Sequence, residues 1–115
     1  MAGYYRNLPP ERFANLAGQD LSGEDFSDYD LWEADFSGSN CRGCNFTGAM
    51  LAWSNLRCAD FTGANFTNAI LCEAEMHGAI LTDAVFTEAD LGPVYADPAQ
   101  FADARGVDME SADIL

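Results

Sequence analysis

The chain has 115 residues, 49% of them hydrophobic, and its 19 acidic residues outnumber five arginines to give a net charge of −14. This length is typical of one domain. Because Lys and Arg bind the phosphates of nucleic acids, the acid excess argues against direct nucleic acid binding. The first ten residues lack the apolar run of a signal peptide, and no segment is apolar enough to span a bilayer. We therefore expect a cytoplasmic protein without membrane contact.

The first predicted element is a cap formed by residues 1–13. It contains Pro9 and Pro10, which are typical of the start of a helical turn. Phe13 is expected to lie over the first coil of the repetitive segment that follows. A cap is needed because an array of repeats leaves an open edge at each end.

Residues 14–93 repeat every five residues in sixteen units. The central residue of each unit is Leu, Phe, Met or Cys, and the residue two positions earlier is Ala, Ser or Cys in all but three units. Neither an α-helix nor a strand returns to the same face every five residues, so the chain must turn once per unit. Phenylalanine also recurs at the centre every twenty residues from Phe26 to Phe86, which makes four units one coil.

This double period predicts an all-β, four-sided β-solenoid of about four coils. The small residues two positions before each centre leave room for a narrow core. The central residues predicted to form that core are Leu16, Leu21, Phe26, Leu31, Phe36, Cys41, Phe46, Leu51, Leu56, Phe61, Phe66, Leu71, Met76, Leu81, Phe86 and Leu91.

The units, such as ADFSG at residues 34–38, resemble those of the pentapeptide-repeat family, whose consensus is A-(D/N)-(L/F)-x-x. The resemblance extends over residues 14–93 and implies a right-handed quadrilateral β-helix. Some members of that family resemble the DNA duplex in shape and charge, bind type II topoisomerases such as DNA gyrase, and confer fluoroquinolone resistance. The resemblance therefore implies DNA mimicry as one function to weigh.

Asp or Asn stands directly before the centre of most units. Such side chains can hydrogen-bond the backbone of an adjoining turn, so we expect them to stabilise the corners of the coil. These residues are Asn15, Asp20, Asp25, Asp30, Asp35, Asn40, Asn45, Asn55, Asp60, Asn65 and Asp90.

Residues 94–115 are predicted to form a C-terminal cap and tail. Asp97 is the expected N-cap of a short helix that begins at Pro98 and stops at Gly106, with Phe101 as its buried side chain. The repeat then resumes in a shifted register. The last nine residues either fold against the end of the solenoid or pair with a second copy, so a homodimer through an end cap or the tail is left open.

The acids are unevenly distributed along the predicted coils. Residues 14–33 carry a net charge of −6, residues 34–53 are neutral, residues 54–73 carry −1 and residues 74–93 carry −4. A DNA mimic needs a continuous acidic stripe, whereas acid at both ends opposes the stacking of open edges into fibres. We therefore favour a non-enzymatic protein-interaction or scaffold module with an unknown protein partner. A DNA-mimicking inhibitor or protector of DNA gyrase or topoisomerase is the alternative.

One side of the predicted solenoid carries an outward apolar patch that Glu33 and Glu73 flank. Patches of this kind often mark protein interfaces. The alternative is that a terminal cap folds over it. The candidate interface residues are Trp32, Met50, Trp53 and Ile70.

The reactive side chains form no recognisable chemical site. Cys41 and Cys44 have C-x-x-C spacing but fall on inward positions, where thiols are usually inert. Cys58, Cys72 and His77 fall on outward positions, with no carboxylate pair or nucleophile–base arrangement beside them. We predict no catalytic residue, no cofactor and no metal site.

Overall fold

Parallel pairing every twenty residues defines the fold of residues 12–115, the part of the chain that the computed structural model describes. Each strand is a single residue: from Asn15 to Glu75, and again at Val85, the residue before the centre pairs with the one twenty positions later, as Met50 does with Ile70. One coil therefore contains twenty residues, as the sequence predicted. The molecule measures 38 × 20 × 20 Å. Within the described residues the only helix is a 3-10 turn, Pro98–Phe101.

The hydrogen bonds of the ladder connect successive coils along the whole stack. The N–H of Leu16 donates to the carbonyl of Asp35 over 2.8 Å, and the N–H of Asp35 donates back to Ala14 over 2.9 Å. The same reciprocal pair recurs around each coil. Backbone groups in the interior of the stack are thereby satisfied without long strands.

Each corner of the coil is a tight turn with a left-handed residue. From residue 18 to residue 88, the second residue after every centre has φ between 56° and 78°, and Phe13, five residues before that series, has φ 63°. The N–H three residues after a centre donates to the carbonyl of that centre, as Ala64 does to Phe61 over 2.9 Å. Glycine suits this backbone, since it has no Cβ to clash. Gly38 and Gly63 occupy such corners, but Trp53 does so too, with φ 62°.

The core is a single column of side chains along the axis. Every one of the sixteen central residues is at most 5% exposed. The small residues two positions earlier are buried as well in most units, including Ser39 and Ser54, whose hydroxyls each donate to the carbonyl of the preceding centre over 2.6 Å. A buried hydroxyl without such a bond would destabilise the core.

The N-terminal end differs from the prediction in one respect. Phe13 does not cover the core of the first coil: it is 61% exposed and packs edge-on against Trp32, with 5.4 Å between ring centroids. Its φ of 63° and its N–H bond to the carbonyl of Trp32 place Phe13 on a corner, which directs its ring outward. The rest of the predicted cap, residues 1–11, lies outside the described residues.

The C-terminal helix is shorter than predicted. Only Pro98–Phe101 is helical, as a 3-10 turn capped by Asp97, whose carboxylate accepts from the N–H of Ala99 over 3.1 Å. Phe101 is 5% exposed and packs against Phe86. The turn ends early because Arg105 returns to the ladder and pairs with Val85, which an α-helix running to Gly106 would prevent.

The tail closes the end of the solenoid. Ile114 pairs with Val94, and the N–H of Leu115 donates to the carbonyl of Val94 over 2.8 Å. The last residues therefore fold against their own chain, which is one of the two arrangements that the sequence left open, and pairing with a second copy stays a prediction. Tyr95 and Arg105 are also paired with the last regular coil, so residues 94–113 form a fifth coil, and Ile114 begins the next one by pairing with Val94.

Candidate interaction surface

The apolar patch lies on the side of the solenoid that belongs to the units centred on Leu31, Leu51, Leu71 and Leu91, which we call the leucine side. Met50 and Ile70 are paired in adjacent coils and half-buried. Trp32 is also half-buried, whereas Trp53 is 54% exposed. The structure thus brings the four candidate interface residues to one side, with Trp53 the most accessible of them.

Trp32 is covered from the N-terminal end by two residues that the sequence did not single out for this role. The guanidinium carbon of Arg12 lies 5.3 Å from the centroid of the Trp32 ring, and Phe13 packs against its edge. Arg12 Nε also donates to Asp30 Oδ2 over 2.8 Å. Arg12 lies twenty residues before Trp32, so the coil register could have revealed this contact. Arg12 and Phe13 therefore pack on Trp32, whereas Trp53 is 54% exposed.

Trp53 stands on a corner between two glutamates. Glu33, Trp53 and Glu73 are one coil apart and all have a left-handed backbone, with φ of 56°, 62° and 63°. The hydroxyl of Tyr95 donates to Glu73 Oε2 over 2.9 Å, and this bond raises the pKa of Tyr95, because the carboxylate stabilises the protonated phenol. Sequence reasoning missed this link, because Tyr95 lies beyond the regular repeat.

The Asp and Asn residues before the centres bind their own corners. All eleven accept a hydrogen bond from the backbone N–H two residues later, from Asn15 at the first unit to Asp90 at the last. The pKa of Asp20 is lowered by hydrogen bonds from the backbone and the hydroxyl of Ser22. That of Asp30 is lowered chiefly by its bond to Arg12. Most of these acids therefore have a structural role.

Like charges do not stack in the four regular coils. Within residues 14–93, no acid lies twenty residues from another acid: Asp20 is followed by Asn40, Asp60 by Ile80 and Glu73 by Pro93. Residues one coil apart are about 4.8 Å from each other, a distance at which two like charges would destabilise the ladder. The acids therefore alternate with neutral residues and form no continuous stripe along these coils.

The thiols are placed as structural side chains. Cys41 and Cys44 are fully buried, and Cys44 Sγ donates to the carbonyl of Leu21 over 2.9 Å. The neighbouring Cys44 thiol, together with burial, raises the pKa of Cys41, which keeps it protonated and unreactive. Cys58 is exposed and Cys72 half-buried. Across residues 12–115, no three His, Cys, Asp or Glu side chains are grouped so as to hold a metal ion.

One cleft lies between the last regular coil and the tail. It has a volume of about 370 Å³ and includes Thr87, Glu88, Asp90, Asp108 and Ser111 in its lining. Neither histidine nor cysteine lines it. No helix among the described residues has the length and apolar character to cross a bilayer.

A repeated twenty-residue coil with parallel pairing between coils and a packed core defines a β-solenoid repeat protein. The family model for pentapeptide repeats matches residues 25–63 and 54–92, with eight copies. The chain therefore belongs to the pentapeptide-repeat family, and the resemblance seen in the sequence is confirmed. A comparison with curated proteins finds no match.

Solved structures of the same family are similar to this chain. The pentapeptide repeat protein Rfr23 from the cyanobacterium Cyanothece 51142 matches with 29% identity and a TM-score of 0.73, over 82% of this chain and 61% of Rfr23. This chain thus spans less than two thirds of that protein. HetL from Nostoc sp. strain PCC 7120, a pentapeptide repeat protein involved in heterocyst differentiation regulation, matches with 26% identity and a TM-score of 0.42, over 81% and 43% of the chains. QnrB1, a plasmid-mediated fluoroquinolone resistance protein, matches with 14% identity and a TM-score of 0.45, over 90% and 69%.

Proposed function

We propose that this chain is a non-enzymatic protein-interaction module, built on the right-handed coil that the family resemblance implies, and that its contact surface is the leucine side around Trp53. The observation that carries the proposal is the exposure of Trp53, at 54%, on a backbone with φ 62°. A left-handed backbone costs an L-residue roughly 1–2 kcal/mol relative to the right-handed one. Glycine, which would avoid this cost, occupies other corners. An exposed indole at a strained corner contributes little to the core, which supports a role outside the fold.

The surroundings of Trp53 have the composition of an interface. Met50 and Ile70 supply half-buried apolar area beside it, and Glu33 and Glu73 supply a polar rim. Buried aromatic anchors surrounded by polar residues dominate the binding energy of many protein interfaces. A partner would complete the burial of Trp53 and pair with the rim.

The state of the thiols supports a non-enzymatic role. Cys72 on the leucine side is half-buried, and burial raises its pKa. The thiol of Cys41 is buried with a raised pKa. A catalytic site would require a nucleophile or acid with an oriented partner.

A photo-crosslinking amino acid at position 53 tests the proposal. It is compared with the same amino acid at position 88, an exposed corner with the same left-handed backbone on another side of the coil. We expect a partner that crosslinks from position 53 only. The purified partner should then bind the native chain but not the variant Trp53→Glu with Ile70→Glu, which should remain folded. Equal crosslinking from both positions, or unchanged binding and unchanged mass by light scattering in the variant, would sink the proposal.

DNA mimicry is the alternative that this proposal displaces. The regular coils carry acids that alternate with neutral residues along each column, and residues 34–53 have no net charge. A gyrase supercoiling assay at physiological salt, with an unrelated protein of equal charge as control, distinguishes the two functions. We expect no inhibition at tens of micromolar protein. Inhibition below one micromolar, absent with the control, would establish the mimic instead.

A further inference from the structure

We propose that the corner formed by Glu33, Trp53 and Glu73 binds an arginine side chain of the protein partner. This inference rests on the proposed interaction function and specifies the chemistry of its central contact. The three residues are the second positions after Leu31, Leu51 and Leu71, and we call them the acidic–aromatic corner.

The backbone places the indole between the two carboxylates. Glu33, Trp53 and Glu73 share the same left-handed conformation, so their Cα–Cβ bonds leave the corner in the same direction. The N–H of Glu33 donates to Ala52 and that of Trp53 donates to Cys72, both over 3.0 Å, which keeps the three residues in register. Successive coils are about 4.8 Å apart. A planar cation lying on the indole is therefore within reach of a carboxylate on either side.

The molecule already contains one contact of this chemistry. Arg12 lies over the ring of Trp32, 5.3 Å from its centroid, while its Nε donates to Asp30 Oδ2 over 2.8 Å. A guanidinium, an indole and a carboxylate thus meet on the same side of the solenoid, one coil below Trp53. No described residue supplies the guanidinium at Trp53, where the indole is 54% exposed.

One carboxylate of the corner is held in place before any partner binds. The hydroxyl of Tyr95 donates to Glu73 Oε2 over 2.9 Å, and Glu73 is half-buried. Fixing the acceptor in advance reduces the entropy that binding would cost. Glu33, which is exposed, supplies the second carboxylate from the coil below.

Arginine fits this corner better than lysine does. Its planar guanidinium stacks on an aromatic face while its N–H groups still point outward to a carboxylate. The compact ammonium of lysine can reach the ring or a carboxylate but lacks the flat surface, and it is more strongly hydrated. Cation–π attraction to tryptophan adds to the ion pair.

The probe is a short peptide, acetyl-Gly-Arg-Arg-Gly-amide, titrated into the 15N-labelled full chain. The indole N–H signals of Trp32 and Trp53 are followed by NMR and assigned with the variant Trp53→Phe. We expect a saturable shift of the Trp53 signal with the arginine peptide, a weaker shift with its lysine counterpart, and none with citrulline, which keeps the shape without the charge. Trp32, whose face Arg12 already covers, should shift less.

Three variants locate the site by fluorescence polarisation of the labelled peptide. Trp53→Ala should weaken binding about two- to fivefold through the lost cation–π contact. Glu73→Gln should weaken it by about the same factor through the lost ion pair. Glu88→Gln is the matched control, because it removes the same charge from an exposed corner that has no tryptophan beside it, and it should bind like the native chain.

Two results would overturn the inference. An equal response to the citrulline peptide, or an equal effect of Glu88→Gln and Glu73→Gln, would show that no specific guanidinium contact exists. A shift of the Trp53 signal on Arg6→Gln without peptide would show that an arginine of the chain itself occupies the corner. The crosslinking test and the variant Trp53→Glu with Ile70→Glu measure apolar contact between the leucine side and a partner. Because they do not depend on an arginine contact, the proposed interaction function can hold even if this inference fails.

Discussion

Phe46 and Phe66 stack face to face across one coil, with ring planes 4° from parallel and centroids 5.1 Å apart. Phe66 stacks on Phe86 in the same way at 4.9 Å. The spacing of neighbouring strands, about 4.8 Å, falls within the range of favourable distances between aromatic rings. A phenylalanine repeated every twenty residues therefore gains ring contacts on both faces at no cost in backbone geometry.

The phenylalanine column predicts a large effect of truncation in mid-stack. Phe66→Ala removes a fully buried ring that touches one ring above and one below, so we expect a loss of about 3–5 kcal/mol in the free energy of unfolding. Urea denaturation followed by far-UV circular dichroism measures it. Phe13→Ala is the control, and at 61% exposure it should change stability by less than about 0.5 kcal/mol. Similar losses in both variants would contradict the structure.

Substituting two corner glycines, Gly63 and Gly78, distinguishes the cost of a left-handed backbone from the cost of steric crowding. A Cβ on Gly63 meets no atom within 4 Å, so Gly63→Ala should cost only the left-handed conformation, roughly 1–2 kcal/mol. A Cβ on Gly78 would also lie 2.9 Å from Cys58 Sγ, so Gly78→Ala should cost more. In a Cys58→Ala background, the cost of Gly78→Ala should fall to that of Gly63→Ala. A double-mutant cycle by thermal denaturation measures this, and additive effects would show that the crowding is absent.

The corner hydrogen bonds can be tested by exchanging two residues of one column. Asn65 Oδ1 accepts from the N–H and the hydroxyl of Thr67, over 3.0 and 2.5 Å, whereas Val85 in the next coil has no acceptor for its corner. Asn65→Val should destabilise the fold by about 1 kcal/mol. Val85→Asn should be neutral or stabilising, since Thr87 offers it the same donors. If Asn65→Val left the urea midpoint unchanged, these bonds would not matter for stability.

Acid should weaken the fold through the corner carboxylates. The pKa values of Asp20 and Asp30 are lowered from the ordinary 3.8, so each ionised carboxylate favours the folded state. This stabilisation is complete above pH 3.8, the unfolded value, and is lost as the pH falls through the lower folded value. Asp20→Asn should therefore lose less stability than the native chain as the pH falls below 3.8. Chemical denaturation at a series of pH values measures the difference, and parallel curves would refute it.

The periodicity of the sequence was sufficient to predict the regular part of the fold. Because one unit turns the chain once and four units close a coil, each side chain in residues 14–93 has neighbours at fixed separations in sequence. The buried position of Phe66, the outward position of Trp53 and the corner bond of Asn65 all follow from that register. The choice of Trp53 as a candidate for contact likewise came from the register alone.

The contacts at the two ends of the solenoid, and the residues that pack against the leucine side, could be seen only in the tertiary structure. Arg105 leaves the 3-10 turn to pair with Val85, and Ile114 pairs with Val94, because these partners satisfy open backbone groups that local propensity does not reveal. Arg12 on Trp32 and Tyr95 on Glu73 likewise join the repeat to residues outside it. The sequence by itself determined the coil, the core and the outward side. The tertiary structure alone decided how the C-terminal edge is closed and which tryptophan stays exposed, since long-range contacts beyond the repeat have no periodic signal.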